Sequence, residues 1–161
     1  MRFILYLMYF FIFQTWSQTK IYPLEEDFKH LHFKTFNSPD FLKLFNKDER
    51  KEKGHHFEVY QLRKSEPIFY YHMVVKDIGF LKLKNSNYSV DKLKIKVEPN
   101  DKNEDFLLRM FTLQFGDHDP MDSSSTTRKY RFKVKNGFIG FVRELYKGYE
   151  EIEIFFISKE F

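Results

Sequence analysis

The sequence predicts a mainly β protein with a helical N-terminal segment (α+β), whose strands form an antiparallel sheet, a sandwich or an open barrel. Three observations lead to this fold class. Several short segments after Phe57 alternate apolar and polar residues with a period of two. Turn-forming residues separate these segments at short intervals, without regular helical crossovers. The chain of 161 residues is 42% apolar and has no cysteine, which predicts one domain held together by its own core.

The N-terminal residues have the composition of a secretory signal peptide. Arg2 supplies a positive charge, residues 3–13 are uninterruptedly apolar, and the small residue Ser17 precedes a plausible cleavage point. The apolar run is shorter than the roughly 20 residues that a membrane-spanning helix needs. We therefore expect a signal peptide over 1–17 and a single β-rich globular domain over 18–161, secreted or periplasmic and without a membrane span. The alternative is an uncleaved anchor or a buried strand.

The segment after the signal peptide contains a helix start. Ser38 is a good N-cap, and Pro39 and Asp40 are favoured in the first turn of a helix. Apolar residues follow at helical spacing, so the sequence predicts a helix near 39–53. The preceding stretch, 23–36, fits a helix in its first half and a strand in its second, and both interpretations stay open.

Period-two patterns dominate the rest of the chain. In one segment Leu93, Ile95 and Val97 alternate with lysines, which predicts a strand with one buried face. Two other segments are apolar at nearly every position, as expected for central strands covered on both faces. We predict strands over 67–76, 79–84, 91–98, 106–115, 129–135 and 150–158.

Residues 138–147 fit two structures. Asn136-Gly137 after an alternating strand is a strong hairpin signal, which predicts that another strand follows. Apolar residues at positions 138, 141, 142 and 145 also have helical spacing. We favour the strand because β-branched and aromatic residues suit a pleated surface.

Two of the predicted strands carry basic residues on their polar face. If these strands lie side by side, the face would attract phosphate or acidic polysaccharide. The alternative is that the basic residues are solvated, some of them protecting a sheet edge. We expect Glu151 and Glu153 to pair with the arginine-bearing strand, and the modest net charge of +4 argues against nucleic acid as a partner. The candidate anion-binding residues are Lys92, Lys94, Lys96, Lys129, Arg131, Lys133 and Lys135.

The sequence contains no recognised catalytic or cofactor motif. It has no G-x-S-x-G elbow, no H-E-x-x-H, no phosphate-binding glycine loop and no cysteine nucleophile. His30 and His32 have no evident third ligand, and Asp117-His118-Asp119 departs from the calcium-loop pattern. We therefore predict no catalytic residues, no metal and no cofactor.

These observations favour an exported, non-enzymatic β-rich domain that binds a ligand or a protein partner outside the cytosol. One alternative is a small secreted hydrolase whose carboxylates converge only in the folded chain. Another is an anion-binding module that uses the basic strand faces. Two acids facing each other in a cleft, with raised pKa values, would favour the hydrolase.

Overall fold

The structure is a computed structural model. It describes residues 22–159 except for 53–54, 64–66, 85–89, 120–123 and 147. The expected signal peptide, 1–17, lies outside the described residues.

Three helical segments precede the first strand, and one longer helix interrupts the strands. The helices are α1 (Leu24–His30), a 3₁₀ helix (Lys34–Asn37), α2 (Pro39–Leu42) and α3 (Asp101–Phe115). The strands are β1 (Phe45–Glu52), β2 (His55–Leu62), β3 (Ile68–Tyr70), β4 (Met73–Leu83), β5 (Lys92–Val97), β6 (Thr127–Val134), β7 (Gly137–Tyr146) and β8 (Tyr149–Ser158).

The strands form one eight-stranded sheet in the order β1-β2-β4-β5-β8-β7-β6. The short strand β3 is outside this order and pairs with the first residues of β4, whereas β2 pairs with the last residues of β4. Every described pairing is antiparallel. Within this order β1 and β6 are the outermost strands. The predicted fold class, mainly β with α-helices and an antiparallel sheet, is therefore confirmed.

The helices pack on one face of the sheet, which we call the inner face. A row of buried side chains crosses it from strand to strand. Phe36 of the 3₁₀ helix lies 5.0 Å from Phe80, and Phe111 of α3 lies 5.6 Å from Phe132, measured between ring centroids. Burying one such side chain contributes about 1.5–3 kcal/mol, so aromatic packing joins the two layers. The row consists of Tyr60, Phe80, Leu93, Phe156, Ile139 and Phe132.

The alternating segments have the predicted orientation. Leu93, Ile95 and Val97 of β5 are buried, and the lysines between them point to the opposite, outer face. The hairpin predicted at Asn136-Gly137 joins β6 to β7, so residues 138–147 are a strand as far as the structure describes them.

The helix predicted near 39–53 is wrong beyond its first turn. The Ser38 hydroxyl accepts a hydrogen bond from the Phe41 backbone N–H, as the N-cap predicts, but α2 ends at Leu42. Residues 45–52 form β1 instead. From Asn46 onward this segment has no apolar side chain that a helix could bury, whereas an edge strand tolerates charges on both faces. In the stretch left open, 23–36, the helix is confirmed for Leu24–His30.

The single strand predicted over 67–76 is wrong because a tight turn at Tyr71 and His72 divides it into β3 and β4. Tyr71 has a φ of 54°, a left-handed conformation that is rare for a tyrosine. The predicted strand over 79–84 is the second half of β4, which therefore extends over 73–83.

The strand predicted over 106–115 is wrong because these residues belong to helix α3. A continuous apolar run does not distinguish a buried strand from a buried helix by periodicity. The Asn100 side chain accepts a hydrogen bond from the Asn103 backbone N–H and caps the helix. Asp101 and Glu104 place negative charge in its first turn, where the helix dipole favours it.

Candidate functional site

The structure places the predicted basic residues on one face but not side by side. Those of β5 and β6 all point to the outer face, while Lys135 lies in the turn after β6. Strands β8 and β7 separate the two groups. The condition for a continuous basic face, that the two strands lie side by side, is therefore not met. Anion binding by Lys92, Lys94, Lys96, Lys129, Arg131, Lys133 and Lys135 stays a prediction.

Acidic residues neutralise part of this basic surface. Lys94 Nζ lies 2.7 Å from Glu153 Oε1, and Lys96 Nζ lies 2.8 Å from Glu151 Oε2. The hydrogen bond to Glu151 raises the pKa of Lys96. The two glutamates therefore pair with β5 and not with the arginine-bearing β6 as expected. The reason is strand order, because β8 is hydrogen-bonded to β5 and β7 but not to β6.

Three carboxylates converge on Arg143 at the inner face of β7. Its Nη1 lies 2.5 Å from Asp101 Oδ1 and 2.6 Å from Glu104 Oε2, and its Nη2 lies 3.4 Å from Glu150 Oε2. The hydrogen bond from Arg143 keeps the pKa of Asp101 below its usual value. Burial alone would lower the pKa of Arg143, but its hydrogen bonds to Asp101 and Glu104 outweigh burial and raise it.

This convergence differs from the arrangement that a hydrolase requires. A general acid needs a carboxyl whose pKa is raised, and a buried cation has the opposite effect. Burial raises the pKa of the Asp27 carboxyl. Its oxygens accept hydrogen bonds from the Thr35 backbone N–H at 3.0 and 3.3 Å, a structural role that joins α1 to the 3₁₀ helix.

A groove of about 550 Å³ lies between helix α3 and the turn that joins β3 to β4. Its floor and walls are mainly apolar. Tyr71 and Phe106 make an edge-to-face contact across it, with their ring centroids 5.2 Å apart. Leu113 has 89% of its surface exposed. We call this feature the α3 groove; it is lined by Tyr71, Lys102, Asp105, Phe106, Arg109, Met110 and Leu113.

Hydrogen bonds hold the turn between β3 and β4, which forms one side of the α3 groove. The Tyr71 backbone N–H donates to Glu25 Oε1 at 2.8 Å, which anchors the turn to α1. His72 Nε2 lies 3.2 Å from Asn103 Oδ1 in the first turn of α3. The Asn103 side-chain amide donates to the Glu98 carbonyl at 2.7 Å. The turn is thus held from two sides.

The charged residues of the α3 groove lie along one flank of the helix. Lys102, Asp105 and Arg109 are exposed, and no ion pair joins any of them to another residue in the described part of the chain. Their spacing of three and four residues places them on adjacent turns. The groove therefore combines an apolar floor with charges that are available to a partner.

Sequence reasoning missed the α3 groove because it assigned 106–115 to a strand. The signal was present in the spacing of Phe106, Met110 and Leu113, which are at positions i, i+4 and i+7. It was masked by the second apolar set on the same helix, Leu107 and Phe111, which faces the core. The turn at Tyr71 carries no glycine, proline or asparagine that would have predicted it.

Among the described residues, no three histidine, aspartate or glutamate side chains are placed to share a metal ion. None of the helices described is long and apolar enough to cross a membrane. Compared with known proteins, the chain matches no family model, no curated sequence and no solved structure.

Proposed function

We propose that the chain is an exported, non-enzymatic binding domain and that the α3 groove docks a segment of a protein partner. The single observation that carries the proposal is the α3 groove, in which the partly buried Phe106 and Met110 and the exposed Leu113 form an apolar lining beside the side of α3 that packs in the core. The apolar leader of the sequence supports export.

The geometry suits a partner helix. Helices that dock into grooves present apolar anchors at i, i+3, i+4 and i+7, and the apolar lining of the α3 groove offers a surface to such anchors. Burying the exposed Leu113 side chain would contribute up to about 1.5–3 kcal/mol to association.

A displayed library of random peptides, selected on residues 18–161, tests this proposal. We expect enriched peptides with apolar residues at helical spacing. Their affinity should fall at least about tenfold for Leu113→Glu, equivalent to 1.4 kcal/mol. Leu113 lies on the helix surface and glutamate is a good helix former, so this substitution should leave the fold intact.

Phe69→Glu is the matched control, because Phe69 is 44% exposed and lies on β3 outside the groove lining. Selected peptides should bind this variant as they bind the unsubstituted chain. Peptides that bind Leu113→Glu equally well, or a library from which no binder emerges, would overturn the proposal.

A further inference from the structure

We infer that the outer face of the sheet has a second docking site, which binds an acidic amphipathic helix of a protein partner. This inference does not depend on the α3 groove. It begins from three apolar side chains that β7 and β8 carry on the outer face, opposite to the face on which the helices pack. Each of them is only half-buried. We call them the outer strip; it consists of Phe138, Phe155 and Ile157.

The outer strip forms a continuous apolar surface two strands wide. Phe138 is the cross-strand neighbour of Ile157, and Phe155 lies opposite Gly140. A Cβ atom at Gly140 would lie 2.8 Å from the Phe155 ring, so this ring occupies the space that a side chain at 140 would fill. Two strands at a spacing of about 4.8 Å make a strip about 10 Å wide. An α-helix with its side chains has nearly the same width.

Basic residues border the outer strip on both sides. On one side β5 carries Lys92 and Lys94, and on the other side β6 carries Arg131 and Lys133. The two rows are three strand spacings apart, about 14 Å. A helix that lies on the strip would therefore present one flank to each row. Charge complementarity requires acidic residues on both flanks of that helix.

Two of these cations already have acidic neighbours, but both remain open to solvent. Lys94 Nζ lies 2.7 Å from Glu153 Oε1, and Arg131 Nε lies 3.2 Å from Asp119 Oδ2. The Lys94 and Arg131 side chains are still 49% and 39% exposed. Ion pairs in contact with water contribute little to stability. Carboxylates of a partner can therefore approach both cations while these pairs persist.

The charge on the rest of the outer face favours a narrow partner over an anionic membrane. Asp48, Asp77, Glu144 and Glu151 belong to other parts of this face. A bilayer would cover the whole face and bring these carboxylates against lipid phosphates, which is repulsive. A helix on β7 and β8 contacts the apolar strip and the two basic rows only.

A displayed library of helical peptides with a fixed apolar stripe and randomised flanks tests this inference. The selection uses the Leu113→Glu variant of residues 18–161, in which the α3 groove is impaired, so its outcome is separate from that of the proposed function. We expect the enriched peptides to carry glutamate or aspartate on both flanks. Fluorescence anisotropy of labelled peptides then measures their affinity.

Substitutions in the same background locate the site. Lys92→Glu combined with Lys133→Glu reverses one charge in each row and should weaken peptide binding at least about tenfold. Ile157→Thr keeps a β-branched side chain and should weaken it at least about fourfold, because less apolar surface is buried. Lys29→Glu combined with Lys43→Glu is the matched control. It changes the net charge equally at side chains that are 57% and 76% exposed in α1 and after α2, and binding should be retained.

Enriched peptides without acidic flanks overturn the inference, as does a selection that yields no binder. Binding that resists the Lys92→Glu and Lys133→Glu double variant, or that falls equally in the control, also contradicts it. Vesicles of phosphatidylserine and phosphatidylcholine distinguish the membrane. If these vesicles bind through Lys92 and Lys133 and the acidic peptides do not, the outer strip contacts lipid and the inference is wrong. Peptides that bind only the chain with Leu113 support the α3 groove and overturn the second site.

Discussion

Arg143 and Glu104 form a buried ion pair that joins α3 to the sheet. Their side chains are 6% and 5% exposed. Two charges in this environment lose most of their hydration, and only good geometry and further hydrogen bonds offset that loss. Glu104 obtains these bonds from Arg128 at 3.0 Å and from the Tyr130 hydroxyl at 3.1 Å. Arg143 is less well satisfied, since its Nε has no partner among the described residues.

This asymmetry predicts unequal effects of removing either partner. Glu104→Leu leaves Arg143 with two acids that are largely exposed, so we expect a loss of about 3–5 kcal/mol in the free energy of unfolding. Arg143→Met leaves Glu104 its two other partners and should cost less. The double variant should be more stable than Glu104→Leu alone, because no buried charge is then left without its partner. Urea denaturation of the three variants measures each difference.

The relative stabilities of the three variants decide whether Glu104 and Arg143 act as a pair. If the double variant loses as much free energy of unfolding as the two single variants together, the two residues act independently. An Arg143→Met variant less stable than Glu104→Leu would contradict the role assigned to Arg128 and Tyr130.

At the scale of elements, the strands that alternate were predictable and the uniformly apolar or uniformly charged segments were not. β5 and β8 bury one face each, and the period of two is visible in their sequences. α3 buries Leu107 and Phe111 and carries partly buried apolar residues beside them, so its apolar set is broad and the helical period is obscured. β1 buries only Phe45 among the residues whose burial is described, so its strand conformation depends on pairing with β2.

The candidate site was missed for the same reason. The groove requires both the helical conformation of 106–115 and the turn at Tyr71, and neither has a local sequence signal strong enough to overcome the apolar composition. Tertiary contacts determine both, because Glu25 and Asn103 hold the turn from distant parts of the chain. A single sequence does not reveal such contacts.

Strand β7 contains a glycine that its neighbours require. A Cβ atom at Gly140 would lie 2.0 Å from the Tyr130 carbonyl oxygen and 2.8 Å from the Phe155 ring. Gly140→Ala should therefore lower the free energy of unfolding by about 1–3 kcal/mol or more, since backbone must move. Gly79→Ala on β4 is the matched control, because its Cβ would meet the movable Gln61 side chain at 3.1 Å. We expect Gly79→Ala to change the free energy of unfolding by no more than about 0.5 kcal/mol.

Thermal or urea denaturation of the two glycine variants provides the comparison. If Gly140→Ala and Gly79→Ala lower the free energy of unfolding equally, the effect arises from replacing any glycine in a strand. A stable Gly140→Ala variant would contradict the close approach of β6 and β7 at this point.

At the scale of the whole molecule, the helices cover the inner face of the sheet and the outer face carries mixed charge. Antiparallel sheets tolerate one solvated face, and the lysines of β5 pair with glutamates of β8 across it. The α3 groove lies at the side of this two-layer body, where the helix and the turn between β3 and β4 leave apolar surface uncovered. The layered architecture thus leaves apolar contacts available beside the helix, separate from the outer strip on the opposite face.

Export of the molecule is the last prediction, and it depends on residues 1–17. Expression of the full chain in a secreting host should release a protein that begins at Gln18, because the small residue Ser17 suits the position before the cut. Ser17→Arg should block cleavage, and deletion of 1–17 should retain the protein in the cytosol. Intact-mass measurement of the medium and of the cytosolic fraction tests all three chains. Secreted protein that begins at Met1, or unsubstituted full chain found in the cytosol, would contradict the predicted signal peptide and with it the proposed export.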